Sequence, residues 1–263
     1  MTNRIDETFS RLREQKRTAL IPFVTVGFPD VETSVALAKT VIEAGGDALE
    51  LGVPFSDPLA DGPTVQKTSA IALEQGVNVK VCLDVVRRLR ADGITTPLVL
   101  MGYYNPYLKY GLERFVGDAA EAGVDGFIIP DLPSEESGPF LKLCEAKNLH
   151  LIPLLAPTST DERIEKACKG AKGFIYCVSV TGVTGARTQL SSGVNDLVSR
   201  VKRFTNLPVM VGFGVSKQEH IEAIGKYADG AVVASAMLDA IDKAPKEKAT
   251  SVARDFIRAL KGS

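Results

Sequence analysis

Short apolar runs and longer segments of helical period take turns along the whole chain. The apolar runs are Ala19 to Thr25, Asp47 to Gly52, Pro97 to Met101, Gly126 to Ile129, Leu149 to Leu154, Phe174 to Val178, Pro208 to Val211 and Gly230 to Val233, eight in all. Between them, Val31 to Glu43 puts Val35, Ala38 and Ile42 on one helical face. Leu112 to Glu121 and Val194 to Phe204 carry the same period. Near-continuous apolar strands separated by helices predict a parallel sheet covered on its outer face. Glu43-Ala44-Gly45-Gly46-Asp47-Ala48 leads into one strand, Glu121-Ala122-Gly123-Val124-Asp125-Gly126 into another, and Tyr227-Ala228-Asp229-Gly230 repeats the idea. Each reads as a helix end, a glycine stop and a strand start.

Eight such units in 263 residues is the arithmetic of an α/β fold closed as a single (β/α)8 TIM barrel. An open doubly wound sheet would carry a glycine-rich dinucleotide turn after its first strand. Gly27-Phe28-Pro29-Asp30 stands there instead. Ile5, Phe9 and Leu12 at helical spacing predict an extra N-terminal helix, and Lys246 to Leu260 a C-terminal one. The long loops leave room for further helices. With no linker in sight, residues 1–263 are expected to form one domain.

Composition narrows the functional classes. Hydrophobic residues make up 45% of the chain and charged residues 24%, the balance of a globular protein and not of a disordered one. Thirty-one Lys and Arg against 32 Asp and Glu leave a net charge of −1, which disfavours bulk binding of nucleic acid or of an anionic membrane. There is no apolar run of membrane-spanning length, and the charged start MTNRIDETFSRLREQK has no signal core, so a cytoplasmic location is expected. Cys82, Cys144, Cys168 and Cys177 form no C-x-x-C pair and read as reduced core thiols. His150 and His220, the only histidines, have no third ligand in view, so no metal is expected.

In a barrel, chemistry sits at the C-terminal strand ends and in the loops after them. On the second run, Leu49 and Leu51 share one face while Ala48, Glu50 and Gly52 share the other. If the leucines face the helices, Glu50 points into the barrel. Burial there would raise its pKa and make it a proton donor and acceptor near neutral pH. A structural glutamate bound to backbone amides fits the strand equally well. The next loop, Val53 to Pro63, is long and carries three prolines and two acids. Asp61-Gly62-Pro63 serves either as a source of a catalytic acid or simply as a helix start. The polar loop from Ser179 to Thr188 fits a lid or an anion contact. Gly214 after the seventh run and Ser235 after the eighth fall where barrels bind phosphate. These residues predict carboxylate acid–base chemistry on a small phosphorylated substrate. They do not identify the reaction.

The segment Leu49-Glu50-Leu51-Gly52-Val53-Pro54-Phe55-Ser56-Asp57-Pro58-Leu59-Ala60-Asp61-Gly62-Pro63 closely resembles the signature of the tryptophan synthase alpha subunit family. Arg4 to Phe9, Gly126 to Pro133, Thr181 to Gly185 and Val211 to Ser216 are similar to that family in the same order, so the resemblance covers essentially the whole chain. It implies retro-aldol cleavage of indole-3-glycerol phosphate to indole and glyceraldehyde 3-phosphate. The family's catalytic glutamate falls on Glu50 and its catalytic aspartate on Asp61. Its tyrosine near the substrate falls on Tyr176, and Phe23, Leu100 and Ile152 or Leu154 would line the indole pocket. The phosphate positions fall on Gly185, Gly214 and Ser235, with Thr184 and Ala234 beside them. Ala234 departs from the family's usual glycine, which implies weaker or shifted phosphate binding. The loop 179–189 is expected to order when a phosphate ligand binds.

The resemblance also implies a beta subunit partner in an αββα heterotetramer. Val53 to Asp61 and Asp131 to Pro139 would face that partner, with Asp57, Pro58 and Asp131 as contacts. Pyridoxal phosphate would belong to the beta subunit, leaving this chain without a cofactor. Three rivals remain: a stand-alone lyase that releases free indole, another phosphate-binding barrel such as a sugar-phosphate isomerase, and a non-catalytic activator subunit.

Overall fold

A computed structural model describes residues 2–178, 192–212 and 214–262. Its strands are β1 (Ala19–Thr25), β2 (Leu49–Gly52), β3 (Leu98–Met101), β4 (Gly126–Ile128), β5 (His150–Ile152), β6 (Leu154–Leu155), β7 (Ile175–Val178), β8 (Val209–Gly212) and β9 (Gly230–Val233). Its helices are α1 (Arg4–Glu14), α2 (Val31–Glu43), α3 (Pro63–Glu74), α4 (Val79–Ala91), α5 (Tyr104–Tyr110), α6 (Leu112–Ala122), α7 (Gly138–Ala146), α8 (Asp161–Cys168), α9 (Ser192–Val201), α10 (Gln218–Gly225), α11 (Ser235–Asp242) and α12 (Ala249–Lys261). A 3-10 turn at Lys246–Lys248 precedes α12, so the C-terminal helix starts later than its apolar period suggests.

The strands lie in the order β5-β4-β3-β2-β1-β9-β8-β7-β6, and every pair is parallel. The ends of that order, β5 and β6, are the fifth apolar run broken at Pro153. Proline has no N–H to give to a ladder, so the run cannot pair evenly along its length. Its first half pairs with β4 and its second with β7, and the Pro153 carbonyl accepts the Tyr176 N–H at 3.0 Å. The ring therefore closes through one residue, and the nine described strands are the eight units of a (β/α)8 barrel.

Alternation sorts the side chains into two cores. Leu49, Leu51, Leu98, Phe127, Ile175 and Val211 face the helices. Ile21, Ala48, Val99, Ile128, Phe174, Tyr176 and Met210 fill the lumen. Ile5, Phe9 and Leu12 of α1 join the lumen cluster, and Phe9 packs on Phe174 with ring centroids 5.4 Å apart. Helix α1 thus plugs the N-terminal end of the barrel. Polar bonds lock the plug: the Asn3 amide donates to the carbonyls of Asp125 at 2.9 Å and Asn148 at 2.8 Å, and His150 Nε2 meets Asp6 at 2.9 Å. Among the described residues this plug leaves the opposite, C-terminal mouth as the way into the lumen.

All four cysteines are free and buried. Burial pushes the thiols of Cys144 and Cys177 up to about 12. Among the described residues no helix is long and apolar enough to cross a membrane.

Candidate active site

Glu50 is fully buried on the lumen side of β2, in register with Phe23 of β1 and Val99 of β3. Neither carboxyl oxygen has a hydrogen-bond partner among the described residues. That disposes of the amide-bound structural glutamate. Desolvation pushes its pKa up to about 8, so at neutral pH it stands as a neutral acid. Tyr176 of β7 also faces the lumen. Its hydroxyl is held far above its ordinary range by burial and by the charges of Glu50 and Asp61, and so stays protonated. Two glycines make this crowding feasible. A Cβ at Gly212 would overlap the Tyr176 hydroxyl, and one at Gly52 would overlap the Phe23 ring.

Asp61 ends the loop after β2. Helix α3 does begin two residues later at Pro63, but its N-cap is Gly62, and no side chain caps it. The carboxylate instead helps line a cavity with Phe23, Gly52, Met101, Gly102 and Tyr103. Burial pushes its pKa up to about 6, against an opposing pull from the Tyr103 hydroxyl. The cavity is about 10 Å³, room for about one water, so an aromatic ligand must part its walls.

Phe23, which the family resemblance put in the indole pocket, lines this cavity. Leu100 does not. It pairs with Leu51 and Phe127 and belongs to the helix-facing core, while its neighbour Met101 reaches the cavity. A shift of one residue along a strand exchanges its two faces. Ile152 lies in the lumen cluster, with Leu154 packed against it.

At the other side of the mouth, β8 and β9 run side by side, and the chain leaves them through Gly214 and Ala234. Gly214 has a positive φ of 41°, is exposed, and has open space where a Cβ would sit. Helix α11 starts at exposed Ser235 with Ala234 as N-cap and no side-chain cap. The Met237 N–H donates to the Ala234 carbonyl at 3.0 Å, so the N–H groups of Ser235 and Ala236 are the ones no side chain contests for an anion. Thr184 and Gly185, with the loop 179–189, lie outside the described residues. Helix α3 is tied to α11 by a hydrogen bond from Thr64 to Asp239 at 2.8 Å and an ion pair of Lys67 with Asp242 at 2.5 Å. The segment after Asp61 is thereby fixed against the helix that would hold phosphate.

The loops after β2 and β4 carry the residues expected at a partner contact. Asp57 is exposed, Pro58 is half-buried and Leu59 is 93% exposed. Asp131 is exposed after β4 and accepts the Tyr104 N–H at 2.9 Å. Met101, the last residue of β3, and Tyr103, two residues beyond it, are further lining residues that carry no sequence motif; only their place at a strand end points to them.

A family model described as tryptophan synthase alpha chain matches residues 9–261. The tryptophan synthase alpha chain of Roseiflexus sp. (strain RS-1) is 50% identical over 260 residues, covering 99% of this chain and all of the relative. A crystal structure of tryptophan synthase subunit alpha from Legionella pneumophila superposes with a TM-score of 0.92 at 33% identity, covering 100% of this chain and 98% of that one. A structure of Mycobacterium tuberculosis tryptophan synthase gives a TM-score of 0.91 at 38% identity, with 100% and 98% covered.

Proposed function

Since the chain belongs to the tryptophan synthase alpha chain family, the lyases that cleave indole-3-glycerol phosphate, we propose that Glu50 and Asp61 carry that cleavage here. One observation supports this reading above the others: a fully buried lumen carboxyl group with no partner among the described residues and a second acid with a raised pKa, both within electrostatic reach of the Tyr176 hydroxyl.

The neutral Glu50 carboxyl gives its proton to C3 of the indole ring. The ring then carries positive charge on its nitrogen, and the Asp61 carboxylate accepts a hydrogen bond from that N–H. The Glu50 carboxylate takes the proton of the hydroxyl on the adjacent glycerol carbon. The bond from that carbon to C3 breaks and its electron pair returns to the ring, giving indole. The carbon becomes the aldehyde of glyceraldehyde 3-phosphate, and Glu50 is neutral again. Phe23 and Met101 flank the ring, and Tyr176 offers a neutral hydroxyl beside the carboxyls. Gly214, Ala234 and Ser235, together with Thr184 and Gly185, hold the phosphate, which fixes the scissile bond over Glu50.

An alpha chain implies a beta partner. We assign the contact to Asp57, Pro58 and Asp131, in an αββα heterotetramer whose pyridoxal phosphate resides in the beta subunit. Residues 1–263 act as one domain, in the cytoplasm. The test is indole release from indole-3-glycerol phosphate by the isolated chain, then with a tryptophan synthase beta subunit added. The expected result is a low rate that rises strongly with the partner. A high rate indifferent to the partner would favour the stand-alone lyase.

The two acids also predict a bell-shaped pH profile of kcat/KM. Asp61 must be ionised, so the rate climbs as pH rises through about 6. Glu50 must be protonated, so the rate falls as pH rises through about 8. Steady-state rates from pH 5 to 9.5 check this, and a rate still climbing at pH 9 would contradict the role of Glu50 as the acid.

A further inference from the structure

We propose that Tyr103 is a positioning residue for the cleavage, its hydroxyl fixing the Ala60 backbone and the Asp61 carboxylate as one unit. The inference rests on the reading of Asp61 given above. Tyr103 follows β3 at the C-terminal mouth and is buried. Its Oη accepts the Ala60 N–H at 2.9 Å, immediately before Asp61. A phenol has one proton and can accept as well as donate. With the Ala60 N–H received, its proton is left for the Asp61 carboxylate, which lines the same cavity and is electrostatically coupled to it. Donated there, that proton would hold one carboxylate oxygen and leave the other for the indole N–H.

The anchor is stiffer than what it holds. Ser56, Asp57, Leu59 and Ala60 are exposed, and no side chain caps the helix after them. Tyr103 stacks near Phe55, ring centroids 5.2 Å apart. Behind it, a Cβ at Gly102 would overlap the Tyr107 hydroxyl, and the Tyr107 ring stacks on Phe115 at 4.1 Å. The strand end therefore sits on a packed aromatic cluster and transmits that rigidity to Asp61 through one hydroxyl. Burial first, then the charges of Asp61 and Asp131, hold the Tyr103 pKa above its ordinary value, so it remains a donor and is not itself the acid or base.

Tyr103→Phe keeps the ring and removes the hydroxyl. Compared with wild type and Asp61→Asn in the same indole-release assay, it is expected to keep KM within about two-fold and lower kcat about ten-fold, the size of one lost hydrogen bond to a charged group. The acid limb of its kcat/KM profile is expected to move upward, because the carboxylate loses the donor that favours its charged form. The position of that limb does not depend on how much protein folds. An unmoved limb with kcat within two-fold of wild type would reduce Tyr103 to packing and overturn the inference. Full activity in Asp61→Asn would instead sink the reading of Asp61, and this inference with it.

Discussion

Glu50→Gln is expected to lower the rate of indole release by at least about 10³-fold while making the protein more stable at alkaline pH. The loss follows because glutamine fills the same space but neither gives a proton to C3 nor takes one from the hydroxyl. The gain follows from linkage. In the fold Glu50 titrates near 8, against an ordinary value of 4.5. Below pH 4.5 both states hold the proton, and burial of the neutral acid costs the fold nothing extra through ionisation. As pH rises from 4.5 to about 8, the unfolded chain releases a proton that the folded one retains, and stability is lost. By pH 7 the loss is on the order of 3 kcal/mol. Glutamine has no such titration, though its two amide protons also lack partners in the lumen and cost about 1–3 kcal/mol. The difference in urea stability between variant and wild type should therefore shift toward the variant from pH 5 to 8 and level off above it. A difference independent of pH would mean that Glu50 ionises normally in the fold.

The sequence disclosed the face on which Glu50 lies because Leu49 and Leu51 flank it, and strand alternation leaves only one place for the residue between them. That rule gives no check on Leu100, which the family resemblance put in the indole pocket and which faces the helices. The run Leu98-Val99-Leu100-Met101 is apolar on both faces, so its pattern does not say which side is the lumen; only the register of Val99 with Glu50 does. For Asp61 the two readings were not exclusive, since the helix start and the cavity wall are neighbouring residues. Pro153 lay inside an apolar run that looked like one strand, and the break at it appears only once its two neighbours are known. Tyr103 had no motif to mark it, because its meaning comes from a contact with Ala60, 43 residues away. His150 likewise looked inert, yet it is buried and bonded to Asp6 across 144 residues. Local periodicity thus placed the strands and Glu50, while Asp61, in a loop, was marked as catalytic only by the family resemblance. What it could not reach were the long-range contacts that hold them.

Asp125→Ala is expected to destabilise the protein by about 3–5 kcal/mol while leaving kcat per folded molecule unchanged. Asp125 is 2% exposed at the start of β4, on the plugged end of the barrel. Its carboxylate accepts from Arg4 at 2.8 Å, from Arg90 at 2.6 Å and from the Leu98 N–H at 2.8 Å. Arg90 is itself largely buried, and its remaining bonds go to the carbonyls of Gly123, Ile94 and Thr96. Removing the carboxylate leaves a desolvated guanidinium with no counter-charge and a buried N–H with no acceptor. Arg4→Ala is the contrast: its side chain is 43% exposed, and losing that arm should cost less than about 1 kcal/mol. Urea unfolding of both variants, compared at equal slope, measures the gap. Equal small losses would assign the plug to Ile5, Phe9 and Leu12 alone. The expected gap would instead make Asp125 the point where α4, β3 and the N-terminal helix are held in one register, at the far end of the barrel from Glu50.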